Sequence, residues 1–256
     1  MPDISDLELP EPTGHRTSCG IRAVIDCRLE TDSAVAGRVA GLLTELATID
    51  PVWQGTWRYE FGPWHTPEYI TITPEIQPIL DLFPRIREDN DFNQHAYAAT
   101  LDIDSNFGGG LSVTPTGSIP DNAPPPRFPF TGPTRYDAGF TPKPALTEAG
   151  LHSRATTGTI GIHIFDAFDR WTEPDTLVYS TAMTRTLDPR TRPIDIGWIS
   201  LLPPNTPLDT TLLPTKAILT TNPRNGATII RLGNSPWHLT ETDIHTTHAA
   251  LGQPLR

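Results

Sequence analysis

The stretch from Gly20 to Trp57, GIRAVIDCRLETDSAVAGRVAGLLTELATIDPVWQGTW, sets the terms for the rest of the chain. At its start Ile21, Ala23, Ile25, Cys27 and Leu29 alternate with Arg22, Asp26, Arg28 and Glu30. A period of two predicts a strand with one buried and one wet face. Val35, Val39, Leu42, Leu43, Leu46 and Ile49 then recur at three- and four-residue spacing, which predicts an amphipathic helix. Thr31, Asp32 or Ser33 can cap its first turn, and Asp50-Pro51 stops it, because the residue before proline avoids the helical region. Gly37 and Gly41 each cost roughly 1 kcal/mol against alanine inside a helix, so another backbone is expected to approach there. The core should condense around this unit.

Proline limits what surrounds it. The 256 residues include 28 prolines, and apolar residues make up 37%. Large parts of the chain must therefore run outside regular elements. Residues 1–19 read as a flexible polar tail without the basic and apolar regions of a signal peptide. No run is long and apolar enough to span a membrane. Cys19 and Cys27 make no disulfide framework, so the expectation is a cytoplasmic protein with reduced thiols.

Charge is unevenly spread. The formal net charge is −11. The segment from Asp26 to Asp104 holds 14 acidic and five basic residues, which accounts for most of it. Such a field repels nucleic acid, whose binding requires Lys and Arg against phosphates. It attracts basic proteins and speeds their association.

Further along, Trp53, Trp57 and Trp64 cluster with Tyr59 and Phe61. They serve either to close the end of the first helix against the sheet or as surface anchors. Glu75 to Asp91 carries Ile76, Ile79, Leu80, Phe83 and Ile86 at helical spacing, with Pro78 and Pro84 breaking it into short turns of helix. Ala99, Leu101 and Ile103 alternate with Thr100, Asp102 and Asp104. Gly108 to Gly110 then turn the chain into Leu111 and Val113, a hairpin. Residues 115–150 are proline-rich and read as a loop or insertion within one domain spanning 20–256. Thr159 to Trp171 fits both periods, and its length favours helix. Leu177–Met183, Ile196–Leu202 and Ala227–Leu232 read as strands, the last preceded by a turn at Asn222 to Gly226. Thr240 to Leu251 closes the chain as a helix with a capping-box spacing at Thr240 and Asp243. The sum is α+β: a mainly antiparallel sheet with helices packed on one face.

Catalytic signatures are sparse. There is no glycine-rich phosphate loop and no GxSxG elbow, so no cofactor is expected. Cys27 falls on the apolar side of its strand and reads as a core residue. Asp243, His245 and His248 form DxHxxH, and His238 and Glu241 are the only nearby additions to a metal set. A solvated helix face is the plainer reading, and a small metal-dependent hydrolase built on these residues is the alternative. Asp166, Asp169, Glu173 and Asp175 could pair as acid–base carboxylates, but nothing in the sequence buries one of them. They are read as an acidic face, and the chain is not expected to be an enzyme.

The order of landmarks resembles the immunity protein 52 family of bacterial polymorphic toxin systems. The similar pieces are the helix running into Leu46-Ala-Thr-Ile-Asp50-Pro51 with Trp57 after it, and the hairpin from Leu101 to Val113. Ala167-Phe168-Asp169 before Pro174-Asp175, Gly197-Trp198 opening GWISLL, and NPRNGATIIRL before the closing helix complete the set. The resemblance implies neutralisation of a cognate toxin, typically a nuclease. The family's characteristic positions would fall on Asp50, Pro51, Trp57, Gly197 and Trp198, all suited to structural roles. On this reading Asp102, Asp104, Asp166, Asp169, Glu173 and Asp175 supply an acidic contact surface, with Trp53 or Trp64 as anchors. The expected partner is a basic nuclease domain, not nucleic acid or membrane. A scaffold binding through the proline-rich segment, which includes Pro126-Arg127-Phe128-Pro129, is the remaining alternative.

Overall fold

A computed structural model describes residues 19–25, 30–49, 57–61, 68–89, 101–105, 109–114, 118–123, 134–140, 158–181, 196–234, 236 and 239–253. The first strand, β1 (Cys19–Ile25), carries the expected alternation: Ile21, Ala23 and Ile25 are buried and Arg22 is exposed. A two-residue strand, β2 (Glu30–Thr31), leads into helix α1 (Asp32–Ile49). The Thr31 hydroxyl accepts from the amide of Ala34 at 3.2 Å, and the helix ends just before Asp50-Pro51. Its stripe of Val35, Val39, Leu42, Leu43 and Leu46 is buried throughout. Each of these leucines gains about 1.5–3 kcal/mol by leaving water.

The two helix glycines differ. Gly41 is occupied by a side chain and not by a backbone: a Cβ there would collide with the Trp171 ring. Gly37 has open space around it. Gly41→Ala should therefore displace the indole and cost about 1–3 kcal/mol. Gly37→Ala should stabilise by about 0.5–1 kcal/mol through lost chain entropy. Urea denaturation of the two variants checks the opposite signs.

The chain continues through β3 (Trp57–Phe61), β4 (Glu68–Ile72), α2 (Ile76–Leu80), α3 (Leu82–Asp89), β5 (Leu101–Ser105) and β6 (Gly109–Thr114). Pro78 and Pro84 each fall in the first turn of their helix, where no intrahelical N–H is required. The break comes between them, at Asp81. Ile79, Phe83 and Ile86 are buried as their spacing predicts, but Ile76 is 52% exposed.

After β7 (Ser118–Ile119) comes β8 (Thr134–Phe140), which corrects the reading of 115–150 as loop. Its residues pair with β1 and β6 in the middle of the sheet. Helix α4 (Gly158–Thr172) resolves the double periodicity of that segment in favour of helix. The rest is β9 (Thr176–Thr181), β10 (Ile199–Leu201), a 3₁₀ turn at Thr210–Leu212, β11 (Ala217–Thr221), β12 (Thr228–Leu232) and α5 (Glu241–Ala250).

Ten strands form one sheet in the order β11-β12-β10-β9-β1-β8-β6-β5-β3-β4, with neighbouring strands antiparallel; β2 and β7 make a separate parallel pair. The architecture is α+β, as expected. The hairpin of β5 and β6 pairs Leu101 with Val113 and Ile103 with Leu111. One face carries the apolar residues of β1, β3, β4 and β9, and α1 and α4 pack with them into one core. At β10 every residue is buried, so the sheet is covered on both faces there, whereas the edge strand β11 is exposed from Ile218 to Thr221. Among the described residues no helix is long and apolar enough to cross a membrane.

Candidate interaction surface

The acidic residues that the sequence groups together lie on two sides of the sheet. Asp166, Asp169 and Glu173 follow α4, which packs on the apolar face. Asp104 sits opposite Arg58 in the register, and Asp102 opposite Ser112. Directly opposed residues share a face, and Arg58 alternates with buried Trp57. The Asp102 and Asp104 positions therefore belong to the face away from the helices.

The α4 group is largely consumed within the fold. Both oxygens of Asp169 accept from Asn222 Nδ2 at 3.0 Å, and Oδ1 also accepts from Arg224 Nη2 at 2.6 Å. Burial raises the Asp169 carboxyl above its ordinary value, against the pull of Arg224 and Asn222. Glu173 ends α4 with φ of 46°, a left-handed conformation uncommon for a residue with a side chain. Its carboxylate lies 3.6 Å from Arg38 and 3.9 Å from Arg224. Arg38 also donates to Glu30 and to the carbonyl of Trp171, both at 2.8 Å. The Trp171 indole and Arg170 both donate to Glu45, at 2.7 and 2.6 Å. The Asp175 amide donates to the carbonyl of Val24 at 2.9 Å, tying the end of α4 to β1. This is a polar lock joining α1, α4 and the β11–β12 turn, whereas the Asp166 side chain is exposed. Sequence reading found the turn at Asn222 but not its partners, because residues more than fifty positions apart leave no local signal.

The C-terminal histidines do not converge. His245 is 3.5 Å from Glu241 at the surface, whereas His248 is fully buried. Among the described residues no group of three or more metal-ligating side chains comes together. His238 lies outside those residues, as do Asp50, Pro51, Trp53 and Trp64. The capping box is present: the Thr240 hydroxyl accepts from the Asp243 amide, and Asp243 accepts from the Thr240 amide at 2.7 Å. Lys216 also reaches Asp243, at 2.7 Å.

Desolvation pushes the Asp243 carboxyl up, but hydrogen bonds from Lys216 and Thr240 outweigh it and hold it below the usual carboxylate range. A depressed native value stabilises the fold above the unfolded carboxylate's value, about 4, and the gain is lost as pH falls through the native value. Thermal melts from about pH 6 to pH 2 should show a shallower acid-side decline in Asp243→Asn than in wild type.

Trp57 and Trp198 are both buried. Trp57 pairs with Ile72 and Ser105, and Trp198 meets Tyr179 edge-on with ring centroids 5.4 Å apart. Gly197 is required beside it, since a Cβ would strike the carbonyl oxygen of Tyr179. These positions are structural. Among the described aromatic side chains the exposed one is Tyr69 on β4, 53% exposed, with the Arg58 guanidinium 5.2 Å from its ring centroid. Nothing in the sequence distinguishes it from the buried aromatics nearby.

No family model matches the chain, and no curated protein matches it by sequence. Among solved structures, the chain is similar to Pseudomonas aeruginosa T6SS protein PA0821, with a TM-score of 0.52 at 9% identity. The likeness covers 93% of this chain and 74% of that one. At that identity it is a likeness of fold, and what it contributes is an α+β architecture shared with a T6SS protein.

Proposed function

We propose that this chain is an immunity protein that binds a cognate bacterial toxin, a cationic nuclease domain, and neutralises it by occupancy and without turnover. The observation that carries the reading is the architecture shared with a T6SS protein across nearly the whole chain. The landmark order that resembles the immunity protein 52 family points the same way, as does the acidic segment from Asp26 to Asp104. A nuclease needs a positive groove for its substrate, and an inhibitor with opposite charge reaches that groove quickly. The site of action is the compartment where such a toxin would harm its producer, the cytoplasm.

The test is genetic. The reading frame beside this gene is expressed alone and together with this chain, and surviving colonies are counted. Killing by the neighbour alone, with survival restored on co-expression, is the expected result. Equal killing with and without this chain would sink the proposal.

A further inference from the structure

The sheet ends on two different edges. At one end β4 carries Glu68 within the strand, 3.3 Å from Arg85, and a charge of this kind blunts an edge against further strands. At the other, β11 runs Ala217-Ile218-Leu219-Thr220-Thr221 with no charge and no proline. Successive strand residues point to opposite faces, and Ile218 and Leu219 are 39% and 40% exposed. Both faces are therefore open along this edge.

The ladder to β12 fixes which backbone groups point outward. The Gly233 amide donates to the Lys216 carbonyl at 3.3 Å, and the Asn222 amide to the Ala227 carbonyl at 2.8 Å. Bonded positions alternate in an antiparallel pair, so Lys216, Ile218, Thr220 and Asn222 bond toward β12. Ala217, Leu219 and Thr221 turn their amides and carbonyls off the edge. The Ala217 amide is taken by the Pro214 carbonyl at 2.8 Å. Among the described residues no strand pairs with the outward groups of Leu219 and Thr221. What remains is a row of backbone donors and acceptors spaced for an extended strand.

We propose that this edge pairs with β11 of a second copy, antiparallel about a two-fold axis at Leu219. In that register Leu219 faces its own copy, and Ala217 faces Thr221. The Leu219 pair exchanges amide and carbonyl bonds, and each Thr221 amide meets an Ala217 carbonyl. A slip by one residue would set inward-facing groups against outward-facing ones, so it is excluded. Ile218 lies beside Thr220 of the other copy on the opposite face, an apolar and β-branched pairing. Charge argues for a second copy as the occupant. Between residues 196 and 253, Asp209, Glu241 and Asp243 balance Lys216, Arg224 and Arg231, so this end is neutral. Lys216 is held by Asp243 at 2.7 Å and Arg224 by Asp169 at 2.6 Å. A basic toxin strand finds no carboxylate within β11 to attract it, whereas a neutral edge meets its copy without repulsion. The strands of the acidic segment, β3 to β5, begin seven places along the sheet from β11. At about 4.8 Å per strand that is roughly 34 Å, several Debye lengths at physiological salt. Five residues a side fall short of the roughly 20–30 of a stable interface, so the dimer is weak and forms as concentration rises.

The experiment is sedimentation velocity of the full chain from about 5 µM to about 1 mM. Wild type should pass from monomer to dimer across that range, and exchange of the Leu219 and Thr221 amides should slow with it. Leu219→Pro removes an outward amide and leaves the β12 ladder whole. It should weaken the dimer by about tenfold or more. Leu219→Lys and Leu219→Glu each set like charges at the axis and should each stay monomeric. Mixing those two variants should restore a dimer, which damage to the fold would not do. Thermal melts confirm that each variant is folded. A wild-type monomer at about 1 mM, or a dimer unchanged in Leu219→Pro and Leu219→Lys, overturns the proposal. Slowed exchange at Leu219 and Thr221 with the inactivated product of the adjacent reading frame, while the free chain stays monomeric, would give this edge to a toxin strand instead. None of these outcomes bears on the colony-survival test, so the immunity reading stands or falls separately.

Discussion

Trp198→Ala is expected to cost about 3–5 kcal/mol of stability, enough to remove much of the margin of an ordinary domain. Three effects add. The largest fully buried side chain of the described core disappears, and the remaining walls close only in part. The edge-on contact with Tyr179 is lost, worth about 0.5–1.5 kcal/mol beyond area. The Gly233 carbonyl also loses the indole N–H that reaches it at 3.2 Å. Trp198→Phe restores the ring contact but not the donor, so it should recover about half of the loss. Chemical denaturation of both variants checks the ordering. A Trp198→Ala loss below about 1 kcal/mol would mean that this end of the sheet is far less tightly packed than its burial indicates.

Arg38→Ala is the second large effect, expected at about 3–5 kcal/mol. The Glu30 side chain is only 4% exposed and receives Arg38 Nε at 2.8 Å. Removing the guanidinium leaves a carboxylate in the interior without that cation, which costs more than the pair itself contributes. The change also takes a donor from the Trp171 carbonyl and one of two arginines from Glu173, whose backbone is already strained. Glu30→Leu combined with Arg38→Leu removes both charges, and its loss should be smaller than that of Arg38→Ala. A double-mutant cycle read by urea midpoint measures the coupling. Additive losses would show that the two side chains do not act as a pair.

The arginines held between α1, α4 and the β11–β12 turn keep the fold together. Thr71→Arg, at an exposed position of β4, should leave stability within about 0.5 kcal/mol.

Local pattern in the sequence determined a good deal. Alternation from Ile21 to Ile25, the stripe from Val35 to Leu46 with its threonine cap, the β5–β6 hairpin and the Thr240–Asp243 capping box are each encoded within a few residues. Backbone geometry repeats over two or four positions, so such signals survive in a bare sequence. The α+β class followed from their order. Tertiary structure decided the rest. It drew Thr134–Phe140 out of a proline-rich stretch into the middle of the sheet, because pairing on both edges supplies what local propensity does not. It set the ring of Trp171 against Gly41, spent Asp169 and Glu173 on Arg224 and Arg38, and left Tyr69 exposed. Those outcomes depend on which distant residue arrives at a given place. A charge written in one segment does not say whether its counter-charge waits inside the fold or on a partner.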